Sequence, residues 1–379
     1  MKKYSHVFFF LVSISISYSL TLPSDIQSLK AFKASIKPNS IPSASCLGSW
    51  DFSTDPCSNP RVTHFTCGIS CISNRVTEIT LDPAGYSGTL SPLISKLTQL
   101  ISLDLADNKF YGPIPPSLFT LPNLQNLILR VNSFSGSVPN SIFNAKSLQS
   151  LDLSHNLISG SLPKSLNSLK NLRRFDLSYN KLTGSIPKLP PKLIELALKA
   201  NSLSGPLYKS SFDGLTKLEV VELSQNSMSG AIESWFFLLP SLQQVDFANN
   251  GFTRVEIQKP KNLESDLVAV DLGYNKVEGN VPVNFADYPV LSSLSMRYNR
   301  LRGPIPWQYS KKVTLKRLYL DGNFLNGLPP AEFFSGEGAV SGSLGDNCLR
   351  SCPVSSQLCI KSQKPNSVCQ QAYRGKPTS

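Results

Sequence analysis

The chain has 379 residues, of which 37 are Lys or Arg, 25 are Asp or Glu, three are His and eight are Cys, giving a formal net charge of +12. So few histidines leave little material for proton transfer or zinc chemistry. A single apolar run, at the N-terminus, argues against a protein that crosses a membrane repeatedly.

Met1, Lys2 and Lys3 give a cationic start, residues 7–16 form an apolar run, and Ser17, Tyr18 and Ser19 offer small residues at signal-peptidase spacing. Residues 1–20 are therefore expected to be a secretory signal, since the run is shorter than the roughly 20 apolar residues that span a bilayer. Removing Lys2 and Lys3 would lower the charge from +12 to +10. Outside a cell, that balance points to acidic polysaccharide or anionic protein and away from nucleic acid. Residues 21–75 read as an N-terminal cap. Ser24 with Gln27 spells a capping box for a helix over 25–37, with Ile26, Leu29, Phe32 and Ile36 on one face.

From Val76 the chain divides into eleven units, most of them 24 residues long, exemplified by LQSLDLSHNLISGSLPKSLNSLKN at 148–171. Asn108, Asn132, Asn156, Asn180, Asn201, Asn226, Asn250, Asn275, Asn299 and Asn323 hold the same place in ten successive units, and Ala84 replaces Asn in the first. A glycine column follows, for example Gly112, Gly136, Gly160 and Gly184. Such a period predicts a leucine-rich-repeat solenoid over 76–338. Each coil gives one strand to a parallel sheet on the concave face, and the buried amides bond backbone that strand pairing leaves open. Cys46, Cys57, Cys67 and Cys71 precede the coils, while Cys348, Cys352, Cys359 and Cys369 follow them. Two terminal groups of four are expected to be disulfide staples, with three pairings open in each. Zinc at Cys67, Cys71 and His64 is the alternative. Residues 339–379 read as a cysteine cap ending in a basic, partly disordered tail, because Arg350, Lys361, Lys364, Arg374 and Lys376 carry every charge after Asp346.

Gly112-Pro-Ile-Pro115, Gly184-Ser-Ile-Pro187 and Gly303-Pro-Ile-Pro306 resemble the L-x-G-x-I-P of plant extracellular leucine-rich repeats. The leader helix, Trp50, Asp55, Pro56, Cys57 and Cys67 are similar to the cap of plant receptor-like proteins. Cysteines at both ends and a basic balance also resemble polygalacturonase-inhibiting proteins, although the spelling Cys67-Gly-Ile-Ser-Cys71 favours the receptor-like side. The resemblance implies a secreted recognition module for a protein or peptide, without an anchor or kinase of its own. A membrane receptor kinase is a candidate partner, and the setting is signalling or defence. Inhibition of a pectin-degrading enzyme, or a structural role on acidic cell-wall polysaccharide, is the alternative. No cofactor is expected, and no catalytic motif is present.

Outward strand positions form a column through Asp104, Asp152, Asp176, Glu222, Asp246 and Asp271, which reads first as scaffold. From this column and its neighbours, Arg130, His155, Arg174, Tyr179, Asp246, Tyr274, Arg297, Tyr298, Arg317 and Tyr319 are the candidate partner-binding residues. Tyr and Arg carry binding energy disproportionately often. Tyr274, Arg297, Tyr298, Arg317 and Tyr319, on three successive coils, are expected to form one patch within about 15 Å. No Arg-x-Arg pair is read across one strand. Two return segments depart from the pattern. Unit five is shortened around Pro187, and unit eight has Arg254 in place of Gly, then Glu256, Lys259, Pro260 and Lys261. These are either neutral loop edits or, around 254–261, a second docking surface. No N-x-Ser/Thr sequon occurs, so the faces are free of N-linked glycan.

Overall fold

The computed structural model describes residues 20–57, 68–334, 340–353 and 355–374. All but the last residue of the expected signal, along with His64 and Cys67, lies outside the described residues. The leader helix runs Pro23–Ala34 and lays Leu29 and Phe32, both fully buried, against the first coil. It stops short of Lys37, and Ile36 instead bridges to Gly88. The capping box does not form. Pro23, whose φ suits a first helical position, moves the start back so that Leu22 is the N-cap and Ser24 already lies in the first turn. Asp25 is 0% exposed and accepts from Arg75 Nε at 3.0 Å and from the Val76 amide at 3.0 Å. That carboxylate ties cap to solenoid. Asp25→Asn keeps an acceptor but removes the charge opposite Arg75, and should cost about 2 kcal/mol in urea unfolding.

Gly68–Ile72 pairs antiparallel with Arg75–Thr80, which opens a 13-stranded sheet whose other neighbours are all parallel. In consecutive coils Leu103, Leu127, Leu151, Phe175 and Leu196 stand in register, each 0% exposed. Neighbouring coils thus bury one another's apolar side chains, which is why no single coil is stable alone.

The asparagines join the coils in the expected way. Asn156 Oδ1 accepts from the Phe134 amide at 2.9 Å, in the coil before. Its Nδ2 donates to Leu129 O of that coil at 3.0 Å and to Leu153 O of its own at 3.1 Å. Asn180, Asn201, Asn226, Asn250, Asn275, Asn299 and Asn323 repeat the pattern. Within the spine a carbonyl accepts from two asparagines; Leu129 O, for instance, serves both Asn132 and Asn156.

From Ser87–Gly88 to Gly251–Val255 each coil then turns into a second, lateral sheet of eight strands, and returns through short 3₁₀ turns such as Pro116–Thr120.

The coils continue past 338. Ser341–Ser343 pairs with Arg317–Tyr319, and Asn347 extends the spine, accepting from the Leu325 amide at 3.0 Å and donating to Leu320 O at 3.0 Å. Of the tail expected to be partly disordered, the described residues, through 374, form a folded cap. Cys348–Cys369 and Cys352–Cys359 staple it, the helix Asn366–Tyr373 closes it, and the Leu344 amide donates to Leu358 O. At the other end Cys57–Cys71 is a disulfide, so Cys71 is not a zinc ligand, while Cys46 is buried. Oxidation consumes the thiolate that zinc would need.

Candidate functional site

The acidic column holds backbone as well as facing solvent. Asp104, Asp152, Asp176, Asp246 and Asp271 each accept from the amide two residues on, at 2.8–3.2 Å. This turn closes the strand, so the scaffold reading stands on a physical cause. Burial raises the carboxyls of Asp104, Asp176 and Glu222 above the ordinary range, and nearby acids add to it, Asp246 at Glu222 in particular. A raised folded-state pKa contributes stability below the unfolded value and loses it as pH rises through the folded value. Glu222→Gln should therefore stabilise the protein at neutral pH by under about 1 kcal/mol, with no gain near pH 4, as read by urea unfolding at both.

A cleft of about 290 Å³ opens on the concave face between Val220 and Tyr319. Val220, Gln244, Ala269 and Ser293, at the first strand position of four successive coils, line its floor. Glu222, Asp246 and Asp271 line it together with Arg297, Arg317 and Tyr319. Arg297 lies over the Tyr319 ring at 4.3 Å, a cation–π contact. Gly273 makes room for it, because a Cβ there would come within 3.0 Å of Arg297 Cγ. Ser295 Oγ in the cleft is buried and has no hydrogen-bond partner among the described residues. Asp246 is partly engaged, accepting from Ser224 Oγ at 2.6 Å, with Lys199 Nζ at 4.0 Å.

The other candidates are placed differently. Arg130 pairs with Asp107 at 3.0 Å and Arg174 with Glu195 at 3.5 Å. His155 and Tyr179 stack at 4.1 Å, as do Tyr274 and Tyr298 at 4.7 Å. Of the five residues expected to form one patch, Arg297, Arg317 and Tyr319 line the cleft, whereas the stacked Tyr274 and Tyr298 do not. The residue before each spine asparagine has a positive φ, 56° at Tyr274 and 50° at Tyr298, which turns its side chain out of the strand column. An Arg-x-Arg does read along one strand, Arg300–Arg302, but in the lateral layer, where Arg300 pairs with Glu278. Lys361 of the C-terminal cap was not singled out for the site. It reaches back to Asp321 Oδ2 at 2.9 Å and Tyr298 Oη at 3.0 Å, and these bonds raise its pKa. No sequence signal links residues so far apart.

Residues 98–158, 122–182 and 314–335 match leucine-rich-repeat families, and residues 22–63 match the leucine-rich-repeat N-terminal domain. Receptor like protein 27 of Arabidopsis thaliana is 40% identical over 68 residues, 18% of this chain and 8% of that protein. Protein MALE DISCOVERER 2 of Arabidopsis thaliana is 35% identical over 109 residues, 28% of this chain and 14% of its own length. Among solved structures, PEPR1–AtPEP1 aligns at a TM-score of 0.78 with 30% identity, covering 86% of this chain and 46% of that one. The plant peptide hormone receptor RGFR1 in complex with RGF2 aligns at 0.61 with 29% identity, covering 72% and 48%. The chain thus spans less than half the length of each of these four relatives. No helix among the described residues is long and apolar enough to cross a membrane. With its asparagine spine, its G-x-I-P turns and its disulfide-stapled caps, the chain belongs to the plant extracellular leucine-rich-repeat proteins.

Proposed function

We propose that the chain is a recognition module, without catalytic function, that holds an extended segment of a protein or peptide in the concave cleft between Val220 and Tyr319. Its role is receptor-like, exercised outside the cell together with a membrane receptor kinase in signalling or defence. The cleft carries this reading through its charge order. Carboxylates of Glu222, Asp246 and Asp271 come first along the sheet, and Arg297 and Arg317 follow. A segment with a cationic side chain near one end and an acidic group toward the other would satisfy both, and Ser295 Oγ would gain a partner. The likeness to RGFR1, a plant peptide hormone receptor, supports the class of ligand.

The test is capture from plant extracellular fluid on the immobilised protein, followed by amide-exchange mapping of the recovered partner on the full chain. Protection is expected at 220–222, 244–246, 269–271, 293–295 and 317–319. Protection confined to the caps, or recovery of a pectin-degrading enzyme whose activity the protein blocks, would overturn the proposal.

A further inference from the structure

The lateral sheet is interrupted. Its eight strands end at Gly251–Val255, and the next lateral strand, Glu278–Asn280, pairs only with Arg300–Arg302. The Lys276 amide donates to Phe252 O at 2.9 Å, and beyond it no backbone hydrogen bond joins the two strands among the described residues. The cause lies in unit eight. Arg254 stands where the other coils turn tightly at glycine, so the chain bulges against Gly230 and Ala231 and leaves by an irregular return with Asn262 at φ 53°.

A second observation marks the same gap. A Cβ on Gly136, Gly160, Gly184 or Gly205 would meet a side chain of the preceding coil at 3.5–3.9 Å, yet on Gly279 it would meet nothing within 4 Å. The space that one coil fills for the next elsewhere is open here. Beside it lies a groove of about 570 Å³ lined by Val255, Ile257, Val281, Pro282, Val283 and Pro304. On its convex side Trp307 is 61% exposed, at the position that Val283 holds one coil earlier.

Charge at the rim is one-sided. Glu256 is paired with Arg254 at 3.0 Å and Glu278 with Arg300 at 3.3 Å. Lys276 and Arg302 have no carboxylate at ion-pair distance among the described residues. Open strand edges seek backbone partners, and an apolar slot beside one selects alternate side chains.

We infer that this groove docks an extended segment of a protein partner, apolar at alternate positions and acidic at its ends, which pairs with the free edge of Gly251–Val255. The absence of N-glycan sequons leaves the face accessible. This site is separate from the concave cleft.

A display library of randomised peptides about ten residues long, enough to run alongside the edge strand Gly251–Val255 and extend beyond both of its ends, is selected on the full chain. The expected binders alternate apolar residues and carry Asp or Glu at their ends. Binding slows amide exchange at 253–255 and 279–280. Val283→Asp and Lys276→Glu each weaken it at least about tenfold, whereas Arg317→Ala with Tyr319→Ala, which disables the cleft, leaves it unchanged. Peptides that bind Val283→Asp and Lys276→Glu as well as the parent chain would overturn the inference. So would protection elsewhere, or a reversible dimer in sedimentation that Val283→Asp abolishes, since the groove would then serve a second copy.

Discussion

Asn323→Ala is expected to lower the stability of the whole solenoid by roughly 3–4 kcal/mol. Asn323 is 0% exposed; its Oδ1 accepts from the Leu301 amide at 3.0 Å, and its Nδ2 donates to Met296 O at 2.9 Å and Leu320 O at 3.0 Å. Those carbonyls keep a second donor, Asn299 and Asn347 respectively, but the Leu301 amide has no other partner among the described residues. One buried N–H is thus orphaned and four bonds are lost, counting a long one from Nδ2 to Asp321 O. Coils depend on their neighbours, so the damage passes in both directions along the stack. Urea unfolding read by circular dichroism measures the effect, with Lys316→Ala on the same coil as a surface control expected to change stability by under about 0.5 kcal/mol. Equal stability of the two variants would mean that leucine packing alone holds the coils together.

Arg317→Ala combined with Tyr319→Ala should weaken binding of the captured partner about a hundredfold while leaving the unfolding midpoint nearly in place. Arg317 is exposed in the cleft and has no carboxylate at ion-pair distance among the described residues, so its charge is available to a ligand. Tyr319 does different work: its ring supports Arg297 from below at 4.3 Å, and truncation lets that guanidinium move away from the cleft. By contrast, Arg130→Ala and Arg174→Ala are expected to change affinity less than about threefold, because Asp107 and Glu195 already engage those side chains on an exposed surface. Surface plasmon resonance on all three variants separates the cases. A loss shared by Arg130→Ala would place the ligand on coils near the N-terminal end instead.

Much of the architecture is legible in the sequence, and the exceptions have identifiable physical causes. Ten spine asparagines were visible because each recurs at a fixed interval, and the eleventh, Asn347, escaped because the glycines and cysteines around it hide the leucine pattern. Ser24 with Gln27 suggested a capping box, yet Pro23 shifted the helix start and Asp25 found stronger partners in Arg75 and Val76. Charge alone reads the tail as partly disordered, whereas Cys348–Cys369, Cys352–Cys359 and the reach of Lys361 to Asp321 fold its described residues.

Sequence by itself determined the coil, its spine and its inward leucines, because in a repeat each position meets the same position of its neighbour and the environment becomes nearly a local property. Only the tertiary structure decided which exposed residues act together. The left-handed turn before each asparagine sends Tyr274 and Tyr298 to the edge while Arg297, Arg317 and Tyr319 stay over the sheet. Likewise Arg254 opens the lateral wall one coil away, at Gly279. Both outcomes depend on side-chain direction and on neighbours some two dozen residues distant, and neither is encoded in the spacing of the repeat.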